Sequence, residues 1–261
     1  MGSVVNFLHL SHQCDNRTTM QKVDILAIGV HPDDIELACS GTLLRHIAQG
    51  KTVGLLDLTM GELGTRGSGP LRLVEAANAA KMMGAAFREN LRMADGFFQY
   101  AQKNILKIIP VIRAAQPDII LANSLSDRHP DHGRAAKLVA DACFYAGLVK
   151  IETKGPDGQV QDRWRPKALY HYIQDRNLVP DFVVDISEYI DRKEELILAF
   201  KSQFFDPNST STDLQTPISG EDFLKFLRAK ARTYGRAAGF EYAESYNVDR
   251  TIGVQDLFNL V

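Results

Sequence analysis

The segment VDILAIGVHPDD, residues 23–34, sets the fold. Its first eight residues form a nearly continuous apolar run, the pattern of a strand covered on both faces, as in a parallel sheet. A polar turn follows, and Ile35 to Gln49 then places Leu37, Leu43, Leu44 and Ile47 at helical spacing, with Gly50 as a stop. The alternation repeats along the chain. TVGLLDL (52–58) reads as a second buried strand, Leu71–Met83 as a helix ended by Gly84, and Asn104–Ala115 as a helix stopped by Pro117. IILA (119–122) is a short strand, and a helix runs from His132 to Ala146. Later strands are expected at Leu169–Ile173 and Phe182–Ile186, and helices at Glu188–Phe200 and Asp222–Ala238. Strands alternating with helices of 10–15 residues specify an α/β fold, Rossmann-like, with a mostly parallel sheet and helices on both faces.

Composition sets limits on function. The 261 residues carry 30 Lys+Arg against 32 Asp+Glu, a formal charge of −2, which disfavours a nucleic-acid binder acting by phosphate neutralisation. No apolar stretch approaches a bilayer span, so no membrane partner is expected. Cys14, Cys39 and Cys143 are widely spaced, which suits a reducing, cytoplasmic setting. Residues 1–21 are polar and aperiodic and read as a loosely attached extension, with residues 22–261 as one domain. The aperiodic stretch DPNSTSTDLQTPISG (206–220) is expected to be a functional or mobile loop.

The chemistry lies in the turns. A dinucleotide-binding fold would carry G-x-G-x-x-G after its first strand. Here that turn carries His31, Asp33 and Asp34, which would repel a pyrophosphate. By itself H-x-x-D is weak, since either aspartate would serve simply to cap the next helix. The second cluster, Asp127-Arg128-His129-Pro130-Asp131-His132, also follows a strand and opens a helix. In open α/β sheets ligands bind at the carboxyl ends of strands where strand order reverses, so the active site is expected at the carboxyl ends of strands 1 and 4. His31, Asp34 and His132 then make a two-His, one-carboxylate set with an open position, the arrangement of catalytic Zn2+; Fe2+ in an oxygenase would accept the same donors. Asp33 is left over as a general base for a water. His129 and Asp131 suggest an imidazolium held by a carboxylate and aimed at an oxyanion or leaving group. An oxygenase needs neither group, and a non-catalytic metal or sugar-binding module would not use Asp33.

These blocks, with DLTMGELGTRGS, YHYIQDR, FKSQFFDPNS and GFEYAESY, resemble the LmbE-like (PIG-L) family of zinc-dependent N-acetylglucosaminide deacetylases from about Lys22 to the C-terminus. They look most like its bacillithiol-biosynthesis branch, which removes acetate from N-acetylglucosaminyl-malate. The resemblance implies zinc ligands His31, Asp34 and His132, base Asp33, and a catalytic His129 supported by Asp131. It also implies substrate contacts from Arg72 and from Arg66 in the Gly-rich loop, an arginine near the catalytic histidine at Arg165, and a homo-oligomer. A malyl aglycone carries two carboxylates and requires arginine near the crevice, which adds Arg128 and Arg176 as candidates. An inositol conjugate or chitin fragment is the alternative substrate. Some relatives place a tyrosine shortly after the T-P pair of the long loop, whereas here Thr216-Pro217 is followed by Asp222 and Phe223.

Overall fold

The computed structural model describes residues 20–206 and 214–259. The expected extension therefore lies outside the described residues, save for Met20 and Gln21, and so does the middle of the 206–220 loop. Seven strands form one sheet in the order β3-β2-β1-β4-β5-β7-β6. They are β1 (Ile25–Gly29), β2 (Val53–Thr59), β3 (Phe87–Met93), β4 (Ile119–Ala122), β5 (Ala168–Tyr172), β6 (Phe182–Asp185) and β7 (Ala243–Val248). The first five run parallel, and β7 pairs antiparallel with both β5 and β6. Strand order reverses at β1, which pairs with β2 on one side and β4 on the other, so a crevice opens between the carboxyl ends of β1 and β4.

The unbroken apolar run of β1 is explained by helices on both faces. Leu26, Ile28 and Val30 point to the face carrying α4 (Gln102–Ala115) and α5 (Pro130–Ala146), where they pack with Ile108, Ile112, Leu138 and Val139. Ile25 and Ala27 point the other way, into a second cluster with Leu43 of α2 (Ser40–Ala48) and Leu196 of α6 (Ile190–Leu198). Helices α3 (Gly69–Met83) and α7 (Glu221–Ala237) complete the covering near Phe200 and Phe204.

Three features depart from the sequence reading. The helix expected over 35–49 is two helices, α1 (Asp34–Ala38) and α2, broken at Cys39 with φ −138° and ψ 7°. The Glu244 carboxylate accepts hydrogen bonds from the freed N–H groups of Gly41 (2.9 Å) and Thr42 (2.7 Å) at the start of α2. Strand β3 (FRENLRM) passes unnoticed in the sequence because it is a polar edge strand; its Arg88 is buried only because Glu36 and Asp57 neutralise it at 2.6 and 2.8 Å. Strand β7 (AESYNV) hides its core role behind Glu244, which pairs with buried Lys193 at 2.6 Å.

Candidate active site

The turn after β1 is held open by Asp33, whose φ of 138° is rare for any residue with a Cβ and stores strain of about 1–3 kcal/mol. Asp33 makes no side-chain cap to α1. Its carboxylate instead meets the Arg72 guanidinium at 3.0 Å, with both side chains buried. Arg72 also donates to the carbonyls of Pro32 (2.9 Å) and Gly61 (3.2 Å), so it fixes the turn and the Gly61 loop together. Gly61 is required for that approach: it has φ 65°, and a Cβ there would lie 2.0 Å from Arg72 Nη1.

Asp34 folds back over the end of β1. Its Oδ2 accepts from the N–H groups of Val30 (3.0 Å) and His31 (2.9 Å) and from Asn123 at the end of β4 (2.9 Å). Its Oδ1 accepts from Gln174 Nε2 (2.8 Å) and lies 3.3 Å from His132 Nε2, while His31 Nδ1 is 3.7 Å from Oδ2. Two strand ends and the turn after β5 thus converge on one carboxylate. The rings of His31, His129 and His132 cluster here, with ligand nitrogens all within 4.8 Å of one another.

Electrostatics show what this set lacks. Burial pushes the His31 imidazole down, but the surrounding carboxylates of Asp131, Asp34 and Asp95 overcome it and hold the ring well above its ordinary value. Burial also opposes His132, yet Asp34 and Asp127 lift it to about 9. Burial pushes the Asp34 carboxyl up, but His132 and His31 together overcome it and hold it far below the usual carboxylate range. The cage therefore demands positive charge, and two imidazoles with one carboxylate fit a divalent cation. Asp33 behaves oppositely. Burial raises its carboxyl from 3.8 to about 7, with Arg72 pulling it back and Asp34 adding to the rise.

The pairing expected between His129 and the Asp131 carboxylate is replaced by another. The Asp131 carboxylate accepts from Gly96 N (2.9 Å) and Arg134 Nη1 (2.9 Å) and lies 3.6 Å from His31 Nε2. Only the Asp131 backbone N–H reaches His129, donating to Nδ1 at 3.3 Å as the start of α5 is capped. Burial and the charges of His31 and His132 lower the His129 pKa, so the ring is neutral with Nε2 carrying the proton. Burial first, and the like charges beside it second, keep an imidazolium from forming there.

The arginines divide. Arg72 and Arg128 line a crevice of about 410 Å³ that also contains His31, Asp33, Asp34 and His132. Arg128 has a half-exposed side chain, tied to Asp175 at 2.7 Å. Arg176 lies beside the same turn, with its guanidinium on Ser126 Oγ at 3.2 Å. Arg66 is buried and does not line the crevice, although its neighbour Thr65 does; its side chain donates to the Ser202 carbonyl at 3.0 Å. Arg165 is not brought to the site. It donates to the Phe144 carbonyl at 3.1 Å and covers that ring, at the far end of α5 from His132. His171 and Cys39 are buried. Sequence reasoning missed Asn123 and Gln174, and also Asp95, which follows the unrecognised β3 and accepts from His31 Nε2 at 3.1 Å. Asp127, quoted within its motif but given no role, meets His132 Nδ1 at 2.7 Å.

A buried carboxylate raised toward neutrality beside a cluster that could hold a metal ion, at the switch point of a parallel sheet, is the arrangement of a metal-assisted hydrolase. Comparisons with known proteins agree. A family model described as PIG-L, GlcNAc-PI de-N-acetylase, matches residues 26–143, and the chain belongs to the PIG-L family. A conserved protein of Thermus thermophilus, of known structure, is 34% identical, superposes with a TM-score of 0.77, and covers 89% of this chain and 98% of its own. Diacetylchitobiose deacetylase of Thermococcus kodakarensis is 28% identical over 84% of this chain and 80% of its own length. The 1D-myo-inositol 2-acetamido-2-deoxy-alpha-D-glucopyranoside deacetylase of Rhodococcus jostii is 24% identical over 81% of this chain and 94% of its own. Among the described residues no helix is long and apolar enough to cross a membrane.

Proposed function

We propose that the chain hydrolyses the acetamide of a small N-acetylglucosaminide, with Zn2+ as its metal and His31, Asp34 and His132 as the ligands. When bound, the cation supplies a Lewis acid for the acetyl oxygen and the attacking water. Asp33 accepts the proton of that water as it attacks the carbonyl carbon. The same carboxyl, now protonated, delivers the proton to the nitrogen of the leaving amine, and the proton left on the attacking oxygen passes from the acetic acid to the free amine, so the glucosaminide leaves as its ammonium and the acid as acetate, with atoms and charge balanced. Arg72 holds Asp33 in place throughout. His129, neutral and protonated on Nε2, donates to the developing oxyanion without adding a third positive charge to the cage. The observation that carries this reading is Asp33, strained, buried and raised to about 7 beside the two-histidine donor set, because a general base works best near the operating pH.

The malyl conjugate is the substrate we favour on the sequence blocks, with Arg128 as the half-exposed arginine at the crevice that would meet its carboxylates. Acetate release by the zinc-loaded protein from N-acetylglucosaminyl-malate, its inositol analogue and diacetylchitobiose tests both levels. Turnover of the malyl compound above the other two supports the assignment. Preference for either neutral glycoside reassigns the aglycone, and release from none of the three removes the proposed activity.

A further inference from the structure

The metal-facing histidines reach Asp34 through different nitrogens. His31 turns Nδ1 toward Asp34 at 3.7 Å, and its other nitrogen, Nε2, lies 3.1 Å from Asp95 Oδ1. His132 turns Nε2 toward Asp34 at 3.3 Å, and its Nδ1 lies 2.7 Å from Asp127 Oδ2. A neutral imidazole that offers one nitrogen to a cation must carry its proton on the other, so each outer carboxylate selects a tautomer. Both carboxylates are buried and are themselves fixed. Asp127 accepts from the N–H groups of Arg128 (2.7 Å), Arg176 (2.9 Å) and Asp175 (3.2 Å), which joins the motif before α5 to the turn after β5. Asp95 accepts from Leu63 N at 2.9 Å, and its own N–H donates to Glu62 Oε1 at 3.0 Å. The loop after β2 is thereby latched to His31 in both directions of donation, and Leu63 and Gly64 of that loop line the crevice.

We propose that Asp95 and Asp127 are positioning residues that fix His31 as the Nε2–H tautomer and His132 as the Nδ1–H tautomer, so that opposite ring nitrogens face one cation, and that Asp95 also ties the crevice loop to His31. The inference rests on the metal reading above but not on the substrate. Asp95 is the nearer acceptor: Asp131 Oδ2 lies 3.6 Å from His31 Nε2, and its carboxylate is already engaged by Gly96 N–H and Arg134. Asparagine at 95 keeps the Leu63 N–H on its amide oxygen, and at 127 it keeps those of Arg128 and Arg176 while losing that of Asp175; in each case an NH2 turns toward the imidazole N–H. The ring then favours the other tautomer, whose proton points at the cation site.

The test combines nitrogen-15 long-range NMR of the histidine rings with zinc titration of the metal-free protein. In the zinc-loaded wild type, His31 is expected to be coordinated through Nδ1 and His132 through Nε2. Asp95→Asn and Asp127→Asn are each expected to weaken zinc binding by about 10- to 100-fold. Asp127→Glu, which keeps the acceptor, should restore part of that loss. Coordination of His31 through Nε2 in the wild type overturns the proposal without any variant having to fold. So does zinc affinity within about threefold of wild type in both asparagine variants. Absence of zinc binding by the wild type overturns this inference and the proposed activity together, whereas tight binding with no deacetylation removes only the latter.

Discussion

Asp33→Asn exposes the cost of holding the proposed general base inside the fold. Raising this carboxyl from 3.8 to about 7 means that the folded chain binds its proton more tightly than the unfolded chain does. Stability is therefore lost as pH climbs through the interval between those values, and the full loss is roughly 4 kcal/mol above the upper one. Asparagine resembles the protonated acid and carries no such loss. It shares the positive φ of 138°, and it leaves Arg72 its contacts with the carbonyls of Pro32 and Gly61. The variant should therefore gain on wild type as pH rises, by roughly 3 kcal/mol between pH 5 and pH 8. Urea unfolding of both metal-free proteins across that range measures the difference, and titrating groups that do not sense the Asp33 charge cancel. The same change should lower kcat by about 10²- to 10⁴-fold while zinc is retained, since the amide cannot accept the proton of the water. Parallel stability curves for the two proteins would refute the placement of Asp33 as a strained, near-neutral base, and loss of zinc would make it a ligand.

His132→Ala leaves two protein ligands and should empty the site, read as zinc content after dialysis. Arg72→Ala removes the cation that holds Asp33 down, so the acid limb of the kcat/KM profile should move to higher pH and activity at pH 7 should fall. An unmoved limb would separate Arg72 from the base. Gly61→Ala should lower stability by more than about 1 kcal/mol, because its Cβ would lie 2.0 Å from Arg72 Nη1 in a left-handed backbone; urea unfolding reads that loss. Arg128→Ala should raise KM for the malyl substrate by about 10- to 100-fold, the value of a charge-assisted hydrogen bond, and leave a neutral glycoside nearly unchanged.

What the sequence disclosed and what it hid follow from where each signal lies. The apolar run at residues 23–30 and the helices after it announce a parallel sheet because burial on both faces leaves no polar phase. The two His-Asp turns are legible because histidines and carboxylates crowd into segments where a helix start would otherwise take a simple cap. Strands β3 and β7 were hidden because Arg88 and Glu244 are buried as ion pairs, and their partners, Glu36, Asp57 and Lys193, lie far away in sequence. Asp95 was lost with β3. The assignment of Asp131 to His129 failed because adjacency in the HPDH turn does not specify direction. The helix start points the Asp131 carboxylate toward Gly96 and Arg134, and only its backbone N–H toward the ring. Arg165 was placed near the site by resemblance, but in this fold its segment passes the opposite end of α5.

The origin of the oxygen in the released acetate tests the central claim most directly. With the zinc-loaded protein and N-acetylglucosaminyl-malate in oxygen-18 water, hydrolysis driven by Asp33 predicts acetate carrying one solvent oxygen, with both label and acetate nearly abolished in Asp33→Asn. Acetate released without solvent label, or labelled acetate formed at the wild-type rate by Asp33→Asn, would contradict the account.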